Sequence, residues 1–144
     1  MSNTILGISA FYHDAAAALV RDGRIVAAAQ EERFTRKKHD PRFPRNAINY
    51  CLEEGGIEPA ELDAVVFYDK ALDTLDRVIK NCMHAGEPAR DQFKRAAQSV
   101  LGVKIWVKDH VERTIGTTGK LDKVLFSEHH MAHAASAFYP SPRS

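Results

Sequence analysis

The first thirty residues alternate between apolar, β-favouring runs and short polar breaks. Three strand-like runs cover residues 4–9, 15–20 and 25–30. A Tyr-His-Asp break separates the first two runs, and an Asp-Gly pair at Asp22 and Gly23 separates the last two. Asp-Gly is typical of tight hairpins because both residues tolerate a positive φ. The pattern therefore predicts a three-stranded β-meander.

Helical and strand-like patterns alternate over the rest of the chain. Residues 31–45 break the periodicity, contain two prolines and carry six Lys or Arg, so we expect a basic loop there. Apolar spacing then predicts helices over 44–55, 72–83, 93–101, from about 108 to 115 and over 128–139, with strands over 64–68 and 123–127. Trp106 and both cysteines are expected to pack in the interior.

The resulting element order is β-β-β-α-β-α-β-α. The last two strands each follow a helix, so they must add to the sheet mostly in parallel. This order resembles one lobe of the actin-like ATPase fold, which is built on a ribonuclease-H-like core. The fold class is therefore predicted as α/β, a mixed sheet with flanking helices.

Composition narrows the class of protein. The 144 residues suit one domain, and 20 Lys and Arg against 19 Asp and Glu give a net charge of +1, too balanced for a dedicated nucleic-acid partner. No apolar run approaches the roughly 18 residues of a membrane span, and no signal peptide is evident, so we expect a cytoplasmic protein. Cys51 and Cys82 lack metal-ligand spacing, which leaves His and carboxylate as the ligands of any metal.

Three of the seven histidines fall between residues 129 and 133. On a helix His129 and His133 share one face with Ala132 and Ser136, while Met131, Ala134, Ala135 and Phe138 form an apolar face opposite. An i, i+4 imidazole pair at the carboxyl end of a buried strand suits one divalent metal ion. Solvated surface histidines are the alternative, and a metal site needs at least one further ligand.

Two other segments could carry chemistry. In the loop after the first strand, His13 could act on protons and nearby backbone N–H groups could meet phosphate, although Asp14 could simply stabilise the turn. The basic loop, which contains Lys38 and His39, could bind phosphate or carboxylate groups, and could equally be a solvated loop.

Residues 7–20, 27–40 and 128–141 together closely resemble motifs of the NodU/CmcH family of O-carbamoyltransferases, in the same order and spacing. The resemblance implies an N-terminal actin-like domain related to the threonylcarbamoyl-adenosine synthases, followed by a YrdC-like domain. It also implies a reaction in which carbamoyl phosphate and ATP give carbamoyl-adenylate. The carbamoyl group then moves to a hydroxyl of a small-molecule acceptor, such as a sugar or an antibiotic precursor.

The resemblance also assigns residues. His129 and His133 match the metal-binding pair, with iron the expected metal, and His13 matches the active-site histidine of the first loop. Lys38 and His39 lie in a Lys-His-Asp element near the adenylate. His130 matches its motif and is grouped with the substrate-binding residues.

Length sets this chain apart from the family, since 144 residues correspond to the first lobe only. The second lobe and the YrdC-like domain are expected to be absent, and the chain alone is expected to be inactive. Alternatives are a non-catalytic lobe that binds metal or a partner, a tRNA-modifying relative, and an actin-like sugar kinase, which bulky Phe11 and Tyr12 disfavour. The sequence is compatible with a homodimer and does not fix the oligomeric state.

Overall fold

A computed structural model describes residues 2–85, 91, 93–95, 98, 106–116 and 124–141. A five-stranded sheet in the order β3-β2-β1-β4-β5 lies at its centre. The strands are β1 (Thr4–Ser9), β2 (Ala16–Arg21), β3 (Arg24–Gln30), β4 (Ala64–Phe67) and β5 (Val124–Phe126). Each predicted strand is present, and no strand end differs from the prediction by more than one residue.

The sheet is mixed, as the sequence predicts. β2 is antiparallel to both β1 and β3, while β4 is parallel to β1 and β5 is parallel to β4. Asp22 and Gly23 close the hairpin between β2 and β3 with φ of 50° and 77°. It follows that β1, β3, β4 and β5 all end at the same edge of the sheet, called the carboxyl edge below.

The helices are α1 (Glu32–Thr35), α2 (Arg45–Gly55), α3 (Ala71–Ala85), α4 (Val107–Ile115) and α5 (His129–Phe138), with a 3-10 turn at Pro59–Glu61. The helical turn α1 corrects the prediction of an irregular loop after β3. The helix predicted over 93–101 lies largely outside the described residues. Among the described residues, no helix has the length and apolar composition needed to cross a membrane.

The core lies on one face of the sheet. Alternate strand residues face it, and α2 and α4 cover it with their apolar stripes. Its fully buried side chains include Leu6, Leu19, Val65, Phe67, Ile48, Cys51, Val107 and Val111. The end of α2 approaches β2 so closely that a Cβ on Gly55 would collide with Leu19 Cδ2, so a larger residue there would have to displace the fully buried Leu19 side chain.

The helix α5 borders the opposite, open face of the sheet in an orientation that differs from the prediction. No residue of α5 is fully buried, and Met131 and Phe138 are 62% and 63% exposed. Ala132 and Ala135 line the space toward the sheet instead. Small residues on this face of the sheet, such as Gly7 and Ala18, leave room for a close approach by small helix residues.

The side chain of Trp106 is also placed differently from the prediction. It is 56% exposed and precedes the first residue of α4. The apolar stripe of α4 is made by Val107, Val111 and Ile115, which are buried at i, i+4 spacing. The residues that α4 buries in the core are therefore aliphatic, and Trp106 lies outside the core.

Candidate functional site

All of the candidate site residues follow strands that end at the carboxyl edge. His13 follows β1, and Lys38 and His39 follow β3 through α1. His129, His130 and His133 follow β5. Ligands of open α/β sheets commonly bind at this edge because the loops that leave the parallel strands converge there.

Two of the candidate histidines meet at one carboxylate. His13 Nδ1 lies 2.7 Å from Asp14 Oδ2, and His39 Nδ1 lies 2.7 Å from Asp14 Oδ1. These hydrogen bonds, that from His39 first, hold the pKa of Asp14 below its ordinary value. No local pattern in the sequence indicates this contact, since His13 and His39 are far apart along the chain and Asp14 is also typical of a turn.

A buried carboxylate anchors the start of the segment that carries Lys38 and His39. Glu31 is 3% exposed and accepts hydrogen bonds from the backbone N–H of Ala47 at 2.9 Å and from Asn46 Nδ2 at 2.7 Å. These donors belong to the first turn of α2, whose N–H groups have no partner within the helix. Glu31 therefore caps α2 from a distance and is structural.

A second buried carboxylate anchors the end of the same segment. Asp40 accepts hydrogen bonds from Thr35 Oγ1 at 2.8 Å and from Arg42 Nε at 2.9 Å. The Arg42 guanidinium holds the pKa of Asp40 well below its usual range, with help from Thr35. The Asp40 carbonyl also accepts the N–H of Ala15 at 3.0 Å, which fixes the two loops side by side.

Lys38 and His39 project from this anchored segment. The side chain of Lys38 is exposed, and the backbone N–H of His39 donates to Glu32 Oε2 at 2.9 Å. One ligand atom each of Asp14, Glu32 and His39 lies within 4.8 Å of the others, a spacing that could hold a cation. In this structure, however, His39 is hydrogen-bonded to both carboxylates through its ring and its backbone.

The predicted metal pair lies at the start of α5. His129 Nε2 and His133 Nε2 are 3.2 Å apart, with ring planes at 83°. Two imidazole nitrogens on a tetrahedral zinc ion at about 2.05 Å would lie about 3.3 Å apart. The distance between the two nitrogens is therefore the one expected for a shared divalent ion, and in this structure one ring donates a hydrogen bond to the other.

Tyr68 lies beside His129 and was missed as a site residue. Its ring lies 5.4 Å from that of His129 and 5.1 Å from that of Phe67, which in turn lies 6.3 Å from Phe11 in the β1–β2 loop. Burial, with the charges of Asp69 and Tyr12, raises the pKa of Tyr68 to about 12, so its phenol stays protonated. Its position directly after β4 was the available signal.

A small polar cavity of about 180 Å³ adjoins the imidazole pair. His129 and His130 line it together with Asp69, Lys70 and Glu128. Lys70 Nζ lies 3.4 Å from Glu128 Oε1, so an ion pair joins the end of β4 to the start of α5. This places exposed His130 beside the pair, facing both cationic and anionic groups.

A wider trough of about 860 Å³ crosses the open face of the sheet. Small side chains such as Gly7, Ala16 and Ala18 form its floor, and Tyr68 and Ser127 mark its end at the carboxyl edge. Arg33 is the one charged residue that lines it among the described residues. The groups able to do acid-base or metal chemistry are therefore at the carboxyl edge, outside this trough.

Comparison with known proteins agrees with the family resemblance that the sequence motifs indicate. The chain is 50% identical over 143 residues to the uncharacterized protein sll1178 of Synechocystis sp., covering 96% of this chain and 23% of that protein. It is 34% identical over 131 residues to nodulation protein NolNO of Sinorhizobium fredii, covering 89% of this chain and 18% of NolNO. The chain thus spans less than a quarter of the length of these two relatives. Residues 4–144 match the family described as Carbamoyltransferase N-terminus, and the chain belongs to that family.

Proposed function

We propose that this chain is the N-terminal part of an ATP-dependent O-carbamoyltransferase, with iron or another divalent metal as cofactor. The observation that carries the proposal is the His129–His133 pair, whose Nε2 atoms are 3.2 Å apart at the carboxyl edge of a carbamoyltransferase-family chain. The strand order β3-β2-β1-β4-β5 supports assignment as the first lobe of an actin-like domain. Use of ATP supports a cytoplasmic location.

The proposed reaction has two stages. Water first hydrolyses carbamoyl phosphate to carbamate and phosphate, and a carbamate oxygen then bonds to the α-phosphorus of ATP as the bond from that phosphorus to pyrophosphate breaks, which gives carbamoyl-adenylate. The acceptor hydroxyl oxygen then bonds to the carbamoyl carbon, the bond from that carbon to the phosphate oxygen breaks, and AMP leaves. The hydroxyl proton must go to a base in the second stage.

The chain's own residues supply distinct parts of that second stage. His13 accepts the proton of the acceptor hydroxyl at Nε2, because its Nδ1 faces Asp14. Exposed Lys38, with His39, binds the adenylate phosphate, and His130 contacts substrate beside the imidazole pair. A divalent ion held by His129 and His133 would supply Lewis-acid polarisation of the carbonyl and balance phosphate charge.

The metal part of the proposal can be tested on the chain itself. We expect titration with Co²⁺ or Fe²⁺ to show one weak site, because two imidazoles are only part of a metal shell. His133→Ala should abolish it, while His130→Ala, a change of the same type on the same helix, should retain it. Equal binding by wild type and His133→Ala would reject the metal assignment.

The transferase part requires the rest of the protein. We expect the 144-residue chain alone to release no pyrophosphate from ATP and carbamoyl phosphate, since substrate positioning needs both walls of a cleft. A chimera, in which this chain replaces the matching segment of the Synechocystis relative, should release pyrophosphate and carbamoylate an acceptor. An inactive chimera beside an active unmodified relative would contradict the proposal.

A further inference from the structure

We propose that Asp14 is a positioning residue that fixes both His13 and His39 as the Nδ1–H tautomer, so that the Nε2 atom of each ring is left as the proton acceptor. The tautomer assignment stands on geometry alone. Its use in carbamoyl transfer rests on the proposed function above.

The carboxylate of Asp14 lies between the two rings and gives one oxygen to each. Oδ2 lies 2.7 Å from His13 Nδ1, and Oδ1 lies 2.7 Å from His39 Nδ1. An ionised carboxylate has no proton to donate, so each ring must donate its Nδ1–H. The lowered pKa of Asp14 supports the ionised state at neutral pH.

Backbone contacts hold the carboxylate in place independently of the histidines. Asp14 adopts φ of 54°, a left-handed conformation that Asp and Asn tolerate better than most residues. The N–H of the next residue, Ala15, donates to the Asp40 carbonyl at 3.0 Å, and the Ala15 carbonyl accepts the Glu31 N–H at 2.8 Å. The loop that carries His13 is therefore joined, directly after Asp14, to both ends of the segment that carries His39.

The rings remain open to solvent on their other side. The side chains of His13 and His39 are 58% and 60% exposed. The hydrogen bond at one ring nitrogen of histidine decides which nitrogen carries the proton. With Nδ1–H held by Asp14, Nε2 of the neutral ring presents a lone pair, and neutral His13 can take a proton from an acceptor hydroxyl.

The experiment is ¹⁵N NMR of the histidine rings in the 144-residue chain near neutral pH. We expect His13 and His39 to be Nδ1–H tautomers in the wild type. In Asp14→Asn, one carboxylate oxygen becomes an NH₂ donor, so at least one of the two rings should change to Nε2–H. Asn suits the left-handed backbone, so this variant should fold.

Asp22→Asn is the matched control. Asp22 also has a positive φ, and hydrogen bonds from Asn3 and Ser2 lower its pKa, yet these partners are not histidines. This control should leave both tautomers unchanged. Identical ring tautomers in wild type and Asp14→Asn, or Nε2–H rings in the wild type, would overturn the proposal.

Metal titration distinguishes the positioning role of Asp14 from a cation site formed by Asp14 and its neighbours. Co²⁺ binding that persists in His133→Ala and disappears in Asp14→Asn would assign Asp14, Glu32 and His39 to a metal ion and overturn the positioning role. Because the NMR readout needs no turnover, it is independent of the proposed function. If the ring tautomers depend on Asp14 but the chimera is inactive, the proposed carbamoyl transfer is refuted and the positioning role of Asp14 stands.

Discussion

Replacement of Glu31 by Gln tests how the candidate site is attached to the fold. The Glu31 carboxylate accepts the N–H of Ala47 at 2.9 Å and Asn46 Nδ2 at 2.7 Å. Glu31 and Ala47 are buried, whereas Asn46 is exposed. The Asn46 amide can therefore turn to water, and the main cost of the change falls on the single N–H of Ala47.

Typical energies of hydrogen bonds and helix caps give the size of this loss of stability. A hydrogen bond to a charged group contributes about 1.5–3 kcal/mol, and loss of a helix cap costs about 0.5–2 kcal/mol. Glu31→Gln keeps one acceptor oxygen, so we expect the free energy of unfolding to fall by about 1–2 kcal/mol. Glu31→Ala removes both oxygens and should cost about 2–4 kcal/mol.

Urea unfolding followed by circular dichroism measures these changes. The midpoint should fall with an unchanged slope, because the surface exposed on unfolding is the same. Glu53→Gln is the matched control. Glu53 is exposed on α2, the helix that Glu31 caps, and its replacement should shift the midpoint little. If Glu31→Gln and Glu53→Gln unfold at the same urea concentration, the capping argument fails.

Three further predictions concern acid stability, nucleotide binding and association. Arg42 lowers the pKa of Asp40, so the stability from this carboxylate is present above its unfolded pKa of about 3.9 and is lost as the pH falls through the lower folded value. The difference in unfolding free energy between wild type and Asp40→Asn should therefore shrink from about pH 5 to about pH 2, and a constant difference would contradict this. In the chimera, Lys38→Ala should raise the KM for ATP about tenfold with an unchanged melting temperature, whereas a lower melting temperature with unchanged KM would make Lys38 structural. Since Phe138 and other large apolar side chains of α5 are exposed, sedimentation should show concentration-dependent self-association that Phe138→Ser reduces, and equal association by both chains would count against this surface.

The sequence by itself determined most of the secondary structure. Alternation of apolar residues and the Asp-Gly turn predicted the meander, and the apolar spacing of Ala47, Ile48, Cys51 and Leu52 predicted α2, where all four are buried. It also placed His129 and His133 one turn apart on a helix, where the structure has them. These features depend on local periodicity and local backbone conformation, which neighbouring residues set.

Only the tertiary structure decided which distant residues meet. The helix pattern predicted an apolar face on α5 with Met131 and Phe138, but both are exposed, and it is Ala132 and Ala135 that line the trough over the sheet. A hydrophobic pattern shows which residues could be buried and does not show what surface they will meet.

The contacts around the candidate site are also decided by the tertiary structure. Asp14 bonds to His39 across 25 positions and Glu31 to Ala47 across 16. Neither spacing matches a helix or strand period, so no local pattern could reveal these contacts. The Asp14–His39 contact forms because β1 and β3 lie two strands apart and end at the same edge of the sheet, which brings the loops that follow them together. The Glu31–Ala47 contact forms because the chain that leaves β3 returns so that the first turn of α2 lies beside the end of that strand.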